Sequence, residues 1–250
     1  MVFSTRQINI GSTFGNANAG IFDGGGVNPI NSFQNNSAAN TVTFNSNLSI
    51  GAIVAGGGSF FFAGSNTGNN PFAGIIPNST SGGNLGIGKS GTGKWILTNA
   101  NSYLGNVIIT EGTLSVGKMD VVANNQPLGK GPRIQLGNSG TSGTLEFTGA
   151  TDSSTDKQIV IGNLTNNNQV GAGSIVNNSP TGALTFSNSP FNLISGTTVT
   201  TVDRTLTLGG NNTGNNTISG AIQDHVTGAA QIILTKAGAG TWILGGVNTY

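Results

Sequence analysis

The chain has 250 residues, of which only 7% are Asp, Glu, Lys or Arg while 42 are Gly. An average globular domain is roughly a quarter charged, so an ordinary helical surface is excluded and solubility rests on Asn, Ser and Thr. Nine basic and eight acidic residues leave a net charge of +1 with no basic run, and Cys is absent, which excludes a phosphate-tracking surface for nucleic acid, a disulfide framework and any thiolate metal site.

Apolar residues make up 35% of the chain and come in short regular bursts, enough to offset the entropy of ordering the backbone. Residues 1 to 35 are poor in alternating strands and are expected to form an N-terminal cap or a degenerate coil. Met1 to Ile10 lacks the basic region and apolar stretch of a signal peptide, so either a signal was removed or Met1 heads a fragment. Asp23 precedes Gly24-Gly25-Gly26 as in calcium-binding nonapeptide repeats, but it occurs once, and such sites need stacked copies.

From Thr41 onward the pattern is strand after short strand. In Thr41-Val42-Thr43-Phe44, Thr113-Leu114-Ser115-Val116, Arg133-Ile134-Gln135-Leu136, Thr144-Leu145-Glu146-Phe147, Leu184-Thr185-Phe186 and Thr205-Leu206-Thr207-Leu208, apolar and polar residues alternate. Period two puts one face in and one face out. Gly, Asn, Ser or Pro ends each burst and supplies a tight corner. In Phe60-Phe61-Phe62 the outer two rings are expected inward, and Phe61 takes an outward place as a candidate lateral contact.

The decisive feature is an internal repeat. Lys89 to Tyr103 (KSGTGKWILTNANSY) and Lys236 to Tyr250 (KAGAGTWILGGVNTY) agree at eight of fifteen positions with an offset of 147. Ala63 to Asn70 (AGSNTGNN) and Gly209 to Asn216 (GGNNTGNN) agree at six of eight with an offset of 146. Phe44 matches Phe186 loosely at an offset of 142, as corner lengths drift. Residues 36–250 are therefore about one and two-thirds copies of a unit near 147 residues. That is too long for one solenoid coil of roughly 20 to 30 residues, so each unit spans several coils. The fold expected is all-β, a right-handed parallel β-helix or β-solenoid, with inward Leu, Ile, Val and Phe in columns and outward Asn, Ser and Thr in ladders.

The motif residues resemble the passenger-associated transport repeat, also called the autotransporter-associated β-strand repeat, of secreted bacterial autotransporter passengers. The first copy carries Gly91, Gly93, Trp95, Leu97, Asn101, Tyr103, Gly105, Gly112, Thr113 and Leu114, and the second Gly238, Gly240, Thr241, Trp242, Leu244, Gly246, Asn248 and Tyr250. Lys94 and Asn99 depart from the Thr and Gly that the family favours. The resemblance implies a passenger β-helix that helps its own export, presents surface loops outside the cell or on the outer membrane, and meets the membrane only through a C-terminal barrel absent from this chain. Independently of it, Trp95 and Trp242 are expected to fix coil register, and Asn101 and Asn248 to close corners through their amides.

No catalytic, cofactor-binding or metal-binding residue is assigned. His225 is the lone histidine, with Asp224 its neighbour, and extended neighbours face apart. Asp152 and Asp156 are two carboxylates where a calcium cage needs six to eight oxygens. Carboxylates are scattered from Asp23 to Asp224 with no paired groove residues, which sets aside a polysaccharide lyase or hydrolase. A structural adhesin or stalk is expected, with a self-assembling surface-layer or filament subunit as the alternative. The candidate partners are host or neighbouring-cell surfaces, glycans, or further copies of the chain joined end to end or laterally.

Overall fold

The computed structural model describes residues 2–3, 8–14, 31–53, 57–80, 82–162, 171–188, 202–224 and 230–250. Among these every strand pair is parallel and no helix occurs. The longest sheet stacks nine strands in chain order: Val2–Phe3, Thr43–Phe44, Asn70–Phe72, Lys94–Leu97, Gly112–Val116, Ser142–Phe147, Gly171–Asn177, Arg204–Gly210 and Ile232–Lys236. A second sheet stacks Asn31–Gln34, Gly58–Ala63, Leu85–Lys89, Val107–Ile109, Arg133–Leu136 and Gln158–Ile161. A third holds Ser153–Thr155, Leu184–Phe186, Asn216–Ile218 and Trp242–Leu244, and Ile8–Phe14 pairs with Leu48–Ile53. The chain visits the faces in rotation, as in Ser142–Phe147, Ser153–Thr155 and Gln158–Ile161. This is a parallel β-solenoid.

Successive strands of the long sheet lie 19 residues apart between Trp95 and Leu114 and 33 apart between Ile175 and Leu208. Val2 and Thr43 are 41 apart, so the coils spread beyond the roughly 20 to 30 residues expected from sequence, with corners absorbing the difference. The six alternating bursts all become strands, shortened to Thr43–Phe44 at the first and widened at Gly112–Val116, Ser142–Phe147 and Arg204–Gly210. Asn31–Gln34 already pairs with Gly58–Ala63, so laddering begins before residue 36. The cap expected over residues 1–35 falls largely outside the described residues, as do Asp23 and His225.

The interior is a set of columns. Trp95, Leu114, Leu145, Ile175 and Leu208 stack in register, each at most 2% exposed. Val107, Ile134 and Ile159, and beside them Ile109, Leu136 and Ile161, form two more, all fully buried. Each such side chain contributes about 1.5–3 kcal/mol of transfer free energy, and a coil can earn that only by stacking on its neighbours. At the N-terminal end the filling is aromatic: Phe33 stacks on Phe44 at 4.3 Å, and Trp95 lies 5.1 Å from Phe62 and 5.9 Å from Phe44. Phe60 and Phe62 point inward as expected.

An outward hydroxyl ladder also forms, through Thr113, Thr144, Ser174, Thr207 and Thr235 on consecutive strands. The asparagines depart from expectation. Asn35, Asn66, Asn70, Asn101, Asn177, Asn212 and Asn216 are buried at the corners and do not line the outside. A corner leaves the sheet, so its N–H and C=O groups lose their ladder partners and must be met by side chains.

Candidate functional site

The repeated motif builds one rung and its corner, and both copies build it alike. Lys89 closes the strand Leu85–Lys89, fully buried, and turns its ammonium into the corner that follows. Nζ donates to the carbonyls of Ser90 at 2.7 Å, Gly91 at 2.6 Å and Glu111 at 3.2 Å, which uses all three protons. Burial lowers its pKa to about 8 against the opposing pull of the Glu111 charge. Lys236 donates to Ala237 at 2.9 Å and Gly238 at 2.8 Å in the same way.

Beyond that corner stands the tryptophan. Trp95 is 1% exposed, and its Nε1–H donates to the carbonyl of Ala63 in the preceding coil at 2.9 Å. Trp242 donates to Gly209, the repeat counterpart of Ala63, at 3.0 Å. Each indole thus makes one hydrogen bond to the coil before. Gly91 and Gly238 have φ of +68° and +69°, and Gly93 and Gly240 donate their N–H groups to Gly64 and Gly210 at 2.9 and 2.8 Å. A side chain at either of the latter two would fall on Asn66 or Asn212 backbone.

Under each tryptophan lies an asparagine knot. Asn70 pairs in register with Trp95, as Asn216 does with Trp242. Oδ1 of Asn70 accepts from Asn35 Nδ2 at 2.7 Å and Val42 N at 3.0 Å. Its Nδ2 donates to Asn66 Oδ1 at 2.8 Å and to the carbonyls of Gly68 and Lys94 at 2.9 Å. Asn216 repeats each bond with Asn177, Leu184, Asn212, Gly214 and Thr241. One amide thus ties three coils. The signal lay in the identical Asn-Thr-Gly-Asn-Asn at 66–70 and 212–216, and in Asn-x-Ser at 35–37 and 177–179.

Asn101 and Asn248 reach further than their own corner. Asn101 Oδ1 accepts from Ile76 N at 2.8 Å in the coil before, and its Nδ2 donates to Pro127 O at 2.8 Å in the coil after. Asn248 accepts from Ile222 N at 2.8 Å. Tyr103 is fully buried, and burial raises its pKa well above the ordinary tyrosine value. Tyr250, on the last rung, is 46% exposed. Leu97 is fully buried and Leu244 partly so. Phe61 is half-buried and lies over Gly88 of the next coil, where a β-carbon would meet its ring.

The carboxylates serve as clamps between backbone segments. Asp152 accepts from Ala183 N, Asp156 from Val122 N and Asp224 from Ile232 N, each at 2.7 Å, and Asp203 from Gln231 N at 2.8 Å. Among the described residues no group of three or more His, Cys, Asp or Glu converges. Glu146 meets Lys94 at 2.6 Å two rungs away. Burial acts to raise its pKa, but the contacts from Lys94 and Asn178 outweigh this and hold it below the ordinary value. Lys157 and Arg204 are fully buried cations, donating to the carbonyls of Gly131 and Ile161. Neither stood out in a sequence so poor in charge.

An open groove of about 620 Å³ runs beside Gly57, Gly82, Asn84 and Gly105.

The architecture and the recurring rung define a parallel β-solenoid built from a long tandem unit. The Passenger-associated-transport-repeat family model matches residues 88–116 and 234–250, the two places where the Lys, Gly and Trp rung is built. The Adhesin BmaC autotransporter of Brucella suis biovar 1 (strain 1330) is 51% identical over 47 residues, which is 19% of this chain and 1% of that relative. No solved structure matches the chain.

Proposed function

We propose that this chain is a passenger β-solenoid of a secreted bacterial surface protein, acting as a stalk or adhesin scaffold and supporting its own export. The observation that carries the reading is how the motif's polar groups are used. Lys89, Asn70, Asn101 and Trp95 each make a hydrogen bond with the backbone of a neighbouring coil. Residues committed to stacking make a rigid, extensible support, and the matches to passenger repeats and to an autotransporter adhesin favour the cell surface as its place. Binding to host or neighbouring-cell surfaces or to glycans would then fall to exposed corners, with catalysis no part of the role.

The test is surface exposure in the producing bacterium. Antibody raised against the chain should stain intact cells, and external protease should remove the signal without lysis. Staining confined to permeabilised cells would refute the reading. Product release from acidic or neutral glycans by the purified chain would refute its non-enzymatic part.

A further inference from the structure

The two copies of the motif do not lie on the same face. Trp95 and Asn70 sit in the long sheet, whereas their counterparts Trp242 and Asn216 sit in the third. Lys89 closes a strand of the second sheet, whereas Lys236 closes one of the long sheet. The shift is the same for every pair. The register Phe33 to Phe62 to Lys89 in the second sheet is reproduced as Ile175 to Leu208 to Lys236 in the long sheet. From Trp95 the long sheet climbs through Leu114, Leu145, Ile175 and Leu208 to Lys236, five rungs, and Trp242 follows on the next face.

We infer that the 147-residue repeat is a screw unit: each copy advances the solenoid by five rungs and one face, so equivalent corners point in successive directions around the axis. With rungs about 4.8 Å apart, one unit climbs about 26 Å and turns through roughly 120° in a three-faced coil. The consequence rests on the stalk reading. A multi-repeat stalk offers its Asn-Thr-Gly-Asn-Asn corner on three sides in turn, so a partner gripping that corner meets it from any approach. Two stalks lying side by side cannot match like corner to like corner along their length, which disfavours lateral zippering of repeats.

The absence of Cys makes spin labelling direct. Ser65, Asp203 and Asn211 are all exposed corner residues. Ser65 lies five residues before Asn70, and Asp203 five before Leu208, which is Asn70's column partner five rungs on. Asn211 is the repeat counterpart of Ser65. Double electron–electron resonance on the full chain with Ser65→Cys and Asp203→Cys should give a separation of about 24 Å, and with Ser65→Cys and Asn211→Cys a longer one of about 30 Å. Single-label proteins must keep the parent circular dichroism. The reverse order, or equal distances, would overturn the screw while leaving surface location untouched. Absence from the cell surface would do the opposite.

Discussion

Replacing Asn70 with Ala removes the amide that joins three coils. Six groups lose a bond: Val42 N–H, the carbonyls of Asn66, Gly68 and Lys94, Asn66 Oδ1 and Asn35 Nδ2. Three of these keep a second partner, since the Asn66 carbonyl still accepts from Lys94 N at 2.9 Å, Asn66 Oδ1 from Gly68 N at 3.1 Å, and Asn35 Nδ2 still donates to Asn40 O at 2.9 Å. Three backbone groups, on the half-buried Val42, Gly68 and Lys94, lose the amide as partner around a fully buried side chain. A buried orphan costs about 1–3 kcal/mol, and water can reach the half-buried Val42 and Lys94, so the expected loss is about 4 kcal/mol. Urea unfolding followed by tryptophan fluorescence measures it, with Trp242→Phe as the common background so that Trp95 alone reports. Asn69→Ala, one residue away and exposed, should stay within about 0.5 kcal/mol of the parent. Asn70→Asp should be worse than Ala at neutral pH, because it faces acceptor oxygens, and should partly recover in acid. A loss under 1 kcal/mol for Asn70→Ala, or one matched by Asn69→Ala, would refute the claim that the knot holds the coils.

Gly64 has a φ of +105° and a β-carbon there would strike the Asn35 carbonyl, so Gly64→Ala should cost more than about 2 kcal/mol, whereas Gly117→Ala, with open space around it, should be near neutral in the same melts. Trp95→Phe should cost at least twice as much as Trp242→Phe in chemical denaturation, because Trp95 is 1% exposed and Trp242 only partly buried. Lys89 and Lys157 each have a pKa lowered to about 8 by burial from the ordinary 10.5. The unfolded chain therefore binds more protons than the folded one between those values, and stability should rise from pH 8 towards 10. Lys89→Met with Lys157→Met should flatten that rise. Glu146, held below the ordinary carboxylate value, contributes stability present above about pH 4.5 and lost as pH falls through its folded pKa; Glu146→Gln should remove that acid-side loss in a pH series of thermal melts.

The parts legible in the sequence are those that a residue states by itself or with near neighbours. Thr144 to Phe147 announces a strand by alternation, and Trp95 and Trp242 announce a shared rung because their surroundings match at a fixed offset. Asn70 was visible as a repeated residue, but its work was not. A corner asparagine bonding its own turn and one bonding coils 24 and 35 residues away have the same local sequence, and only stacking distinguishes them. Lys89 was hidden for a related reason. A lysine beside glycines suggests a solvated corner, and burial becomes tolerable only when three carbonyls converge on one ammonium, which two successive corners supply. The aspartates were weighed as metal ligands because carboxylates are scarce here. That scarcity suits a stack in which like charges one rung apart repel, and four of the aspartates accept from a backbone N–H of another segment, as Asp156 does from Val122.

The rotation of the repeat was beyond reach for another reason. An offset of 147 residues fixes how much chain separates two motifs but not how many turns it makes, because coil length varies from 19 to 41 residues within this molecule. Phase depends on the sum of the corners, and corners are where the sequence is least constrained: the spacing between matching positions drifts from 142 to 147 within one repeat. Yet the asparagine knot, the lysine cap and the tryptophan bond all shift by the same face. A unit whose internal contacts span adjacent coils moves as a block, so insertions accumulate between blocks and leave each knot whole. Selection on stacking would therefore preserve the rung while leaving its direction free to be set by corner length.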